Sequence, residues 1–364
     1  MAIETLGILG AGTMGSGIAI ASAPAGLDVV LVDSSDAQLE KALGEARKFY
    51  DRAVEKGRMA ADAAEAALGR ISGATDVAAL GDSDLVIEAV FEDFDLKAKI
   101  FQQLSGIVQE AALVATNTSC LRVSDLAGHI ANPQRFLGLH YFSPAQINPL
   151  VEVVRGEETA AEAFEAALAF VRATGKRPLA CRDSYGFAVN RFFCPYTNEA
   201  ARLVGEGSAT TAQVDRIAKE ALGVPAGPFL VQNIIKPRIN LHAIRNLGPL
   251  GPFYAPAPFL VAVGEAEESF EIDADDSGYP EKDALVADRL RAATFLPILE
   301  ELDEGVAEPA DIDMGAQAAL RFAGPCKQMD ALGRAEVERL IQPLCEAFKI
   351  PLPASIERVG TLIS

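Results

Sequence analysis

The chain has few cysteines, few histidines, fewer bases than acids and no long uninterrupted apolar run. Each shortage excludes something. The five cysteines, Cys120, Cys181, Cys194, Cys326 and Cys345, are scattered and include no C-x-x-C pair. An odd, unclustered set is expected of reduced thiols in a cytoplasmic protein rather than of disulfides or zinc ligands, and no metal is expected. Charges, Gly or Pro break every apolar stretch before the ~20 residues a spanning helix needs, so no membrane partner is expected. The opening MAIETLGILG has neither the basic region nor the cleavage site of a secretory signal, which also points to the cytoplasm. Lys and Arg number 32 against 51 Asp and Glu, a formal net charge of −19. Phosphate backbones repel so acidic a chain, so nucleic acid is not expected as a partner. For the same reason an anionic ligand needs a local patch of positive potential. The acidity also fits a solubilising or salt-adapted surface.

What is present falls into unlike halves. At 364 residues, half of them apolar, the chain exceeds one ordinary core and calls for two or three domains. The first half alternates short apolar runs with helical patterns. LGIL at 6–9, VVLVD at 29–33, LVIEAV at 85–90, LVAT at 113–116 and FLGLH at 136–140 are expected as buried parallel strands. A helix is expected over 95–109, and the charged, Ala-rich stretch 35–70 as a helical hairpin broken at Gly57 and Gly69. This alternation predicts an α/β, Rossmann-type doubly wound sheet. After Ser184 strand patterns nearly vanish. VNRFFCPYTNEAARLVGEGSATTAQVDRIAKEALGVPAGP, from Val189, is echoed by ADRLRAATFLPILEELDEGVAEPADIDMGAQAALRFAGP, from Ala287. Glu206-Gly207 matches Glu304-Gly305, Asp215 matches Asp313, and each copy ends in Gly-Pro. Two repeated all-α domains are therefore expected after the sheet. The domains are 1–183 for the dinucleotide unit, 184–283 for the first helical domain with a Pro-rich, acidic loop or linker at 249–283, and 284–364 for the second.

Gly10-Ala11-Gly12-Thr13-Met14-Gly15 follows a strand pattern and opens a helix. Gly10 permits the tight turn, Gly12 lets the backbone approach a pyrophosphate, and Gly15 lets helix and strand pack closely. The helix N-terminus then offers N–H groups to the phosphates. A lone motif of this kind also occurs as a plain glycine turn. Here Asp33 ends the next strand, at about the ~20-residue interval expected of an acid that holds a ribose diol. Asp33 would repel a 2′-phosphate, and Ser34, Ser35 and Asp36 supply no base to attract one. NAD is the expected cofactor.

Hydride transfer to a carbonyl puts charge on oxygen and calls for a proton donor with a pKa near neutral, which suits histidine. Of three histidines, His129 lies in a polar loop and His242 in a helical stretch. His140 ends an apolar strand at the carboxyl edge of the sheet, where such folds bind ligands. Glu152, embedded in PLVEVV, is a lone carboxylate in an apolar strand and needs a partner such as an imidazolium. Spacing alone also allows a strand-end histidine and an unrelated glutamate.

In GAGTMGSGIA, IEAVFEDFDLKAKIF, NTSCLRVSDLA, GLHYFSPAQINPLVEVV and DSYGFAVNR the chain resembles the L-3-hydroxyacyl-CoA dehydrogenase family, from Leu6 to about Phe229. The second helical repeat is similar to that family's C-terminal domain. The resemblance implies His140 as general acid/base and Glu152 as the residue that orients it. It implies Ser119 at the substrate oxygen and the nicotinamide, Asn190 at the reacting carbonyl, and Glu92 and Lys97 at the nicotinamide ribose. Without the resemblance those last two also read as a solvated helix start and a surface lysine. The cofactor-binding set it implies is Gly10, Gly12, Thr13, Met14, Gly15, Asp33, Glu92, Lys97, Asn117, Ser119 and Ser143. The implied substrate is a 3-hydroxyacyl or 3-oxoacyl thioester, with CoA as carrier.

Two departures stand out. Tyr141-Phe142-Ser143-Pro144 replaces the FNP of many single-function members and resembles the dehydrogenase part of multifunctional β-oxidation enzymes, although no hydratase portion is expected here. Where the family usually carries KxGxGFY, this chain has VGEAEESFEIDADDSGYP from Val263. Two other readings stay open: action on a carrier-protein-bound or otherwise atypical acyl group, and a non-catalytic NAD-binding structural role, against which His140, Glu152, Ser119 and Asn190 together speak. The repeat leads to the expectation of a monomer built as an internal pseudo-dimer, or of a homodimer formed through another surface.

Overall fold

The computed structural model describes residues 3–363. They form two units, one ending at Asp183 and the other beginning at Ser184.

The first unit runs β1 (Thr5–Leu9), α1 (Thr13–Ser22), β2 (Asp28–Val32), α2 (Asp36–Glu55), α3 (Ala61–Gly69), β3 (Ile71–Ala74), β4 (Leu85–Glu88), α4 (Phe94–Leu104), β5 (Leu113–Thr116), α5 (Val123–Ala127), β6 (Phe136–Tyr141), β7 (Leu150–Arg155), α6 (Ala161–Ala173) and β8 (Arg177–Arg182). Its eight strands lie in the order β3-β2-β1-β4-β5-β6-β7-β8. Neighbours are parallel except β6 and β7, so the sheet is mixed. The inner strands are near-continuous apolar runs because helices cover both faces, and Leu6, Ile8, Leu85, Ile87, Leu113, Ala115, Leu137 and Leu139 are fully buried.

The charged insertion is a helical hairpin. Ser35 caps α2 by accepting from the Gln38 N–H. The face bearing Leu39, Ala42, Ala46 and Tyr50 is buried at helical spacing, and the Tyr50 hydroxyl donates to the Ile20 carbonyl. Helix α4 is shorter than the expected 95–109. Ser105 Oγ donates to the Phe101 carbonyl, and the Gly106 N–H turns back to Gln103.

In the second unit every regular element among the described residues is helical. They are α7 (Val189–Gly205), α8 (Thr211–Leu222), α9 (Pro228–Ile235), α10 (Pro237–Asn246), α11 (Pro258–Glu265), α12 (Asp283–Glu304), α13 (Pro309–Gly315), α14 (Pro325–Leu332) and α15 (Arg334–Phe348). A π-helical turn, Ala316–Leu320, follows α13. Arg289 of α12 joins Glu199 of α7 and Glu206, the residue just past that helix, at 2.5 and 2.6 Å. The Asp215 carboxylate accepts from the Phe229 and Leu230 N–H groups at the start of α9. The Asp313 carboxylate accepts from the Cys326 and Lys327 N–H groups at the start of α14.

The expected loop or linker at 249–283 is not simply loop. It contains α11, whose Pro258 takes the first helical position, where a missing N–H costs nothing. Beyond α11, the Phe270 ring lies edge-on to Phe229 and Phe259, and Asn233 bonds both the N–H and the carbonyl of Phe270. No helix among the described residues is long and apolar enough to cross a membrane.

Candidate active site

Strand register sets the site. Leu9, Glu88, Thr116 and Gly138 lie in one row across β1, β4, β5 and β6, and Leu9 pairs with Val32 of β2. The residues just past that row, Gly10, Asp33, Asn117 and His140 among them, all sit at the carboxyl edge of the parallel strands. This is the edge at which open α/β sheets bind ligands.

The Gly10–Gly15 turn has the shape expected of a pyrophosphate cradle. Gly10 adopts φ +105°, and a Cβ on Gly15 would fall 1.8 Å from the Gly10 carbonyl oxygen. Both positions therefore need glycine for the fold itself. Gly12 does not. It caps α1 at φ −68°, and a Cβ there would meet no protein atom within 4 Å. The space a side chain would fill is left open at the N-terminus of a ten-residue helix. That cradle fits a dinucleotide phosphate. Thr13 is exposed at the first position of α1, and Met14 is half-buried against the core. Asp33 follows β2; its carboxylate accepts from the Ala11 N–H at 2.8 Å and the Ser35 N–H at 3.0 Å. A carboxylate has about four lone-pair sites, so capacity remains for ribose hydroxyls.

His140 and Glu152 are paired residues of β6 and β7. His140 Nδ1 lies 2.6 Å from Glu152 Oε2, and the two residues are 4% and 0% exposed. A carboxylate accepts only, so the contact assigns a proton to Nδ1 and turns Nε2 away from Glu152. The Phe142 ring lies against the imidazole, centroids 4.5 Å apart. Asn117 Oδ1 accepts from the Tyr141 N–H at 2.8 Å, which ties the end of β5 to β6.

A second cluster holds Ser119. Glu92 Oε1 accepts from Thr118 Oγ1, the Ser119 N–H and the Cys120 N–H at 2.6, 2.7 and 3.0 Å. Burial pushes the Glu92 pKa up, but the Lys97 ammonium and these hydrogen bonds outweigh it and hold the carboxyl below its usual range. Lys97 is not a surface lysine. It is 1% exposed, with its Nζ 2.6 Å from Glu88 and 3.4 Å from Glu92.

Not every expected site residue joins these groups. Ser143 is exposed in the loop after Phe142. Asn190 belongs to the second unit, in the first turn of α7. Two residues escaped the sequence reading. Glu88, fully buried at the end of β4, is an acid inside the apolar run LVIEAV, the same signal that singles out Glu152. Lys176 donates to the Ala145 and Asn148 carbonyls of the loop after His140 at 2.6 and 2.8 Å, and burial pushes its pKa down to about 8. Nothing in its sequence context marks it.

Comparison with known proteins places this arrangement. Residues 5–184 match the family described as 3-hydroxyacyl-CoA dehydrogenase, NAD binding domain, and residues 186–269 the corresponding C-terminal domain. The chain is 32% identical over 346 residues to the 3-hydroxyadipyl-CoA dehydrogenase of Escherichia coli (strain K12), covering 91% of this chain and 72% of that protein. The solved (S)-3-hydroxybutyryl-CoA dehydrogenase of Ralstonia eutropha matches with 36% identity and a TM-score of 0.71, over 74% of this chain and 100% of that one. A 3-hydroxybutyryl-CoA dehydrogenase structure from Escherichia coli K12 shares the fold over 100% of this chain and 99% of that one, with a TM-score of 0.88 at 24% identity.

Proposed function

The chain belongs to the 3-hydroxyacyl-CoA dehydrogenase family, and from that premise we propose how its own residues carry out the family's NAD-dependent oxidation of 3-hydroxyacyl-CoA to 3-oxoacyl-CoA, and the reverse. NAD, when bound, supplies the hydride acceptor, and NADH the donor. The Gly12 cradle and the α1 N-terminus hold the pyrophosphate, with Thr13 and Met14 beside it, and Asp33 accepts hydrogen bonds from the adenosine ribose. Glu92, Lys97, Asn117, Ser119 and Ser143 line the nicotinamide side. His140 takes the hydroxyl proton during oxidation and returns it during reduction, through Nε2. Glu152 fixes the tautomer by accepting from Nδ1–H and stabilises the imidazolium once it forms. Ser119 holds the reacting oxygen. The 2.6 Å contact between His140 and Glu152 carries this reading. Its test is NADH-dependent reduction of acetoacetyl-CoA, the 3-oxo counterpart of the substrate in the names of two relatives. Steady turnover is expected; none with this or longer 3-oxoacyl-CoA esters would refute it.

We further propose that the helical region is an internal duplication, with domains at 184–283 and 284–364. Asp215 and Asp313 are equivalent in the sequence repeat, and each caps the helix that opens with the following Gly-Pro through two backbone N–H groups. The two copies then cover each other's apolar faces as a pseudo-dimer, and the protein is a monomer, or a homodimer through another surface. A cytoplasmic location suits its five buried free cysteines.

A further inference from the structure

The carboxylate of Glu88 has no place in the reaction above, yet it is among the most completely enclosed charges in the first unit. It is 0% exposed at the last position of β4. Oε1 accepts from Lys97 Nζ at 2.6 Å and from the Val90 N–H at 2.8 Å. Oε2 accepts from Thr116 Oγ1 at 2.7 Å, at the end of β5 and one residue before Asn117. A buried ion pair contributes little net stability, because desolvating two charges offsets their attraction, and an apolar pair of similar volume often serves the fold as well. Stability alone therefore does not account for this one.

Its geometry does. Lys97 has two carboxylate neighbours, Glu88 at 2.6 Å and Glu92 at 3.4 Å. Glu92 Oε1 is the oxygen that gathers Thr118, Ser119 and Cys120. Glu88 takes the close contact with the ammonium and leaves Glu92 on the turn. Without the charge on Glu88, Glu92 is left as the carboxylate beside a buried ammonium, and the attraction pulls it off the turn. We propose that Glu88 is a positioning residue for the dehydrogenase: it holds Lys97 at a fixed distance from Glu92, and so sets the Thr118–Cys120 turn that presents Ser119. The proposal rests on the placement of Ser119 at the reacting centre.

Glu88→Gln tests it, because the amide keeps the shape. Its oxygen can still accept from Lys97 and Val90, and its NH2 can donate to Thr116 Oγ1, whose hydroxyl accepts equally well. The expected result is a kcat about 10–100-fold lower, the order of loss that a small misplacement of a catalytic group produces, with the KM for acetoacetyl-CoA changed by no more than about twofold. The decrease should disappear in a Lys97→Met background, where no ammonium remains to displace Glu92, so that the double variant turns over like Lys97→Met alone. A purely structural role would also couple the two contacting residues, but in thermal stability; it predicts no loss of kcat at constant KM in the folded E88Q enzyme. Near-normal turnover in E88Q while Ser119→Ala is impaired, or multiplying effects of E88Q and K97M, would overturn the proposal. Undiminished turnover in Ser119→Ala would overturn the placement of Ser119, and the coupling between E88Q and K97M would still decide whether Glu88 acts through Lys97.

Discussion

Glu152 stands directly opposite His140 in the antiparallel pairing of β6 and β7, with its Oε2 2.6 Å from the imidazole Nδ1. The contact is thus fixed by strand register rather than by a loop. A slip of one residue would send the two side chains to opposite faces of the sheet, and both flanking strands are buried along nearly their whole length. Two rigid backbones hold the acid/base residue and its orienting carboxylate, which is the kind of support that precise proton transfer needs.

Cofactor choice follows from Asp33. NADH should bind much more tightly than NADPH, since the carboxylate accepts from ribose hydroxyls and repels a 2′-phosphate. Asp33→Ala should weaken NADH binding about 10–100-fold, the range for losing hydrogen bonds to a charged group, and should narrow the gap between the two cofactors. Equal affinities of the native protein for NADH and NADPH in a fluorescence titration at moderate salt would contradict this.

Gly12 and Gly15 should separate binding from folding. Gly12→Ala adds a methyl group in open space at an ordinary φ, so its thermal stability should stay within about 1 kcal/mol of the native protein while NADH binding falls. Gly15→Ala drives a methyl group into the Gly10 carbonyl and should destabilise the fold by about 1–3 kcal/mol or more. A Gly12→Ala protein that binds NADH as well as the native one would remove the phosphate cradle from the account.

The helical region should depend on its second half. Removing residues 284–364 strips α12 from α7 and leaves Glu199 buried without Arg289. The truncated chain should aggregate or form a new dimer through the bared face, which size-exclusion chromatography with light scattering reads directly. A soluble, monomeric truncation product as stable as the whole chain would refute the pseudo-dimer.

The central strands and the glycine turn were legible because their signals are local: apolar runs four to six residues long, and glycines at mechanically required spacings. β3 and β8 were not. Ile71–Ala74 is a half-exposed edge strand with Ile71 as its one large apolar residue, and β8 opens with Arg177-Pro178 and ends with Arg182. Proline misled at 249–283, where Pro258 starts a helix instead of breaking one. The antiparallel turn from β6 to β7, which puts His140 against Glu152, is a long-range pairing that a spacing of twelve residues only permits. Lys97 illustrates the same limit. Its position in FDLKAKIF suits an exposed helix face, but α4 turns that side chain inward to Glu88, and only the tertiary structure says so.

The most direct test is the turnover of His140→Ala. With acetoacetyl-CoA and NADH, the account predicts a decrease of about 10²–10⁴, the range for removing a positioned acid/base. Glu152→Gln should lose activity through the same imidazole, and NADH affinity should be nearly unchanged in both variants because neither side chain belongs to the phosphate cradle. A His140→Ala enzyme that reduced acetoacetyl-CoA at close to the native rate would contradict the mechanism at its centre.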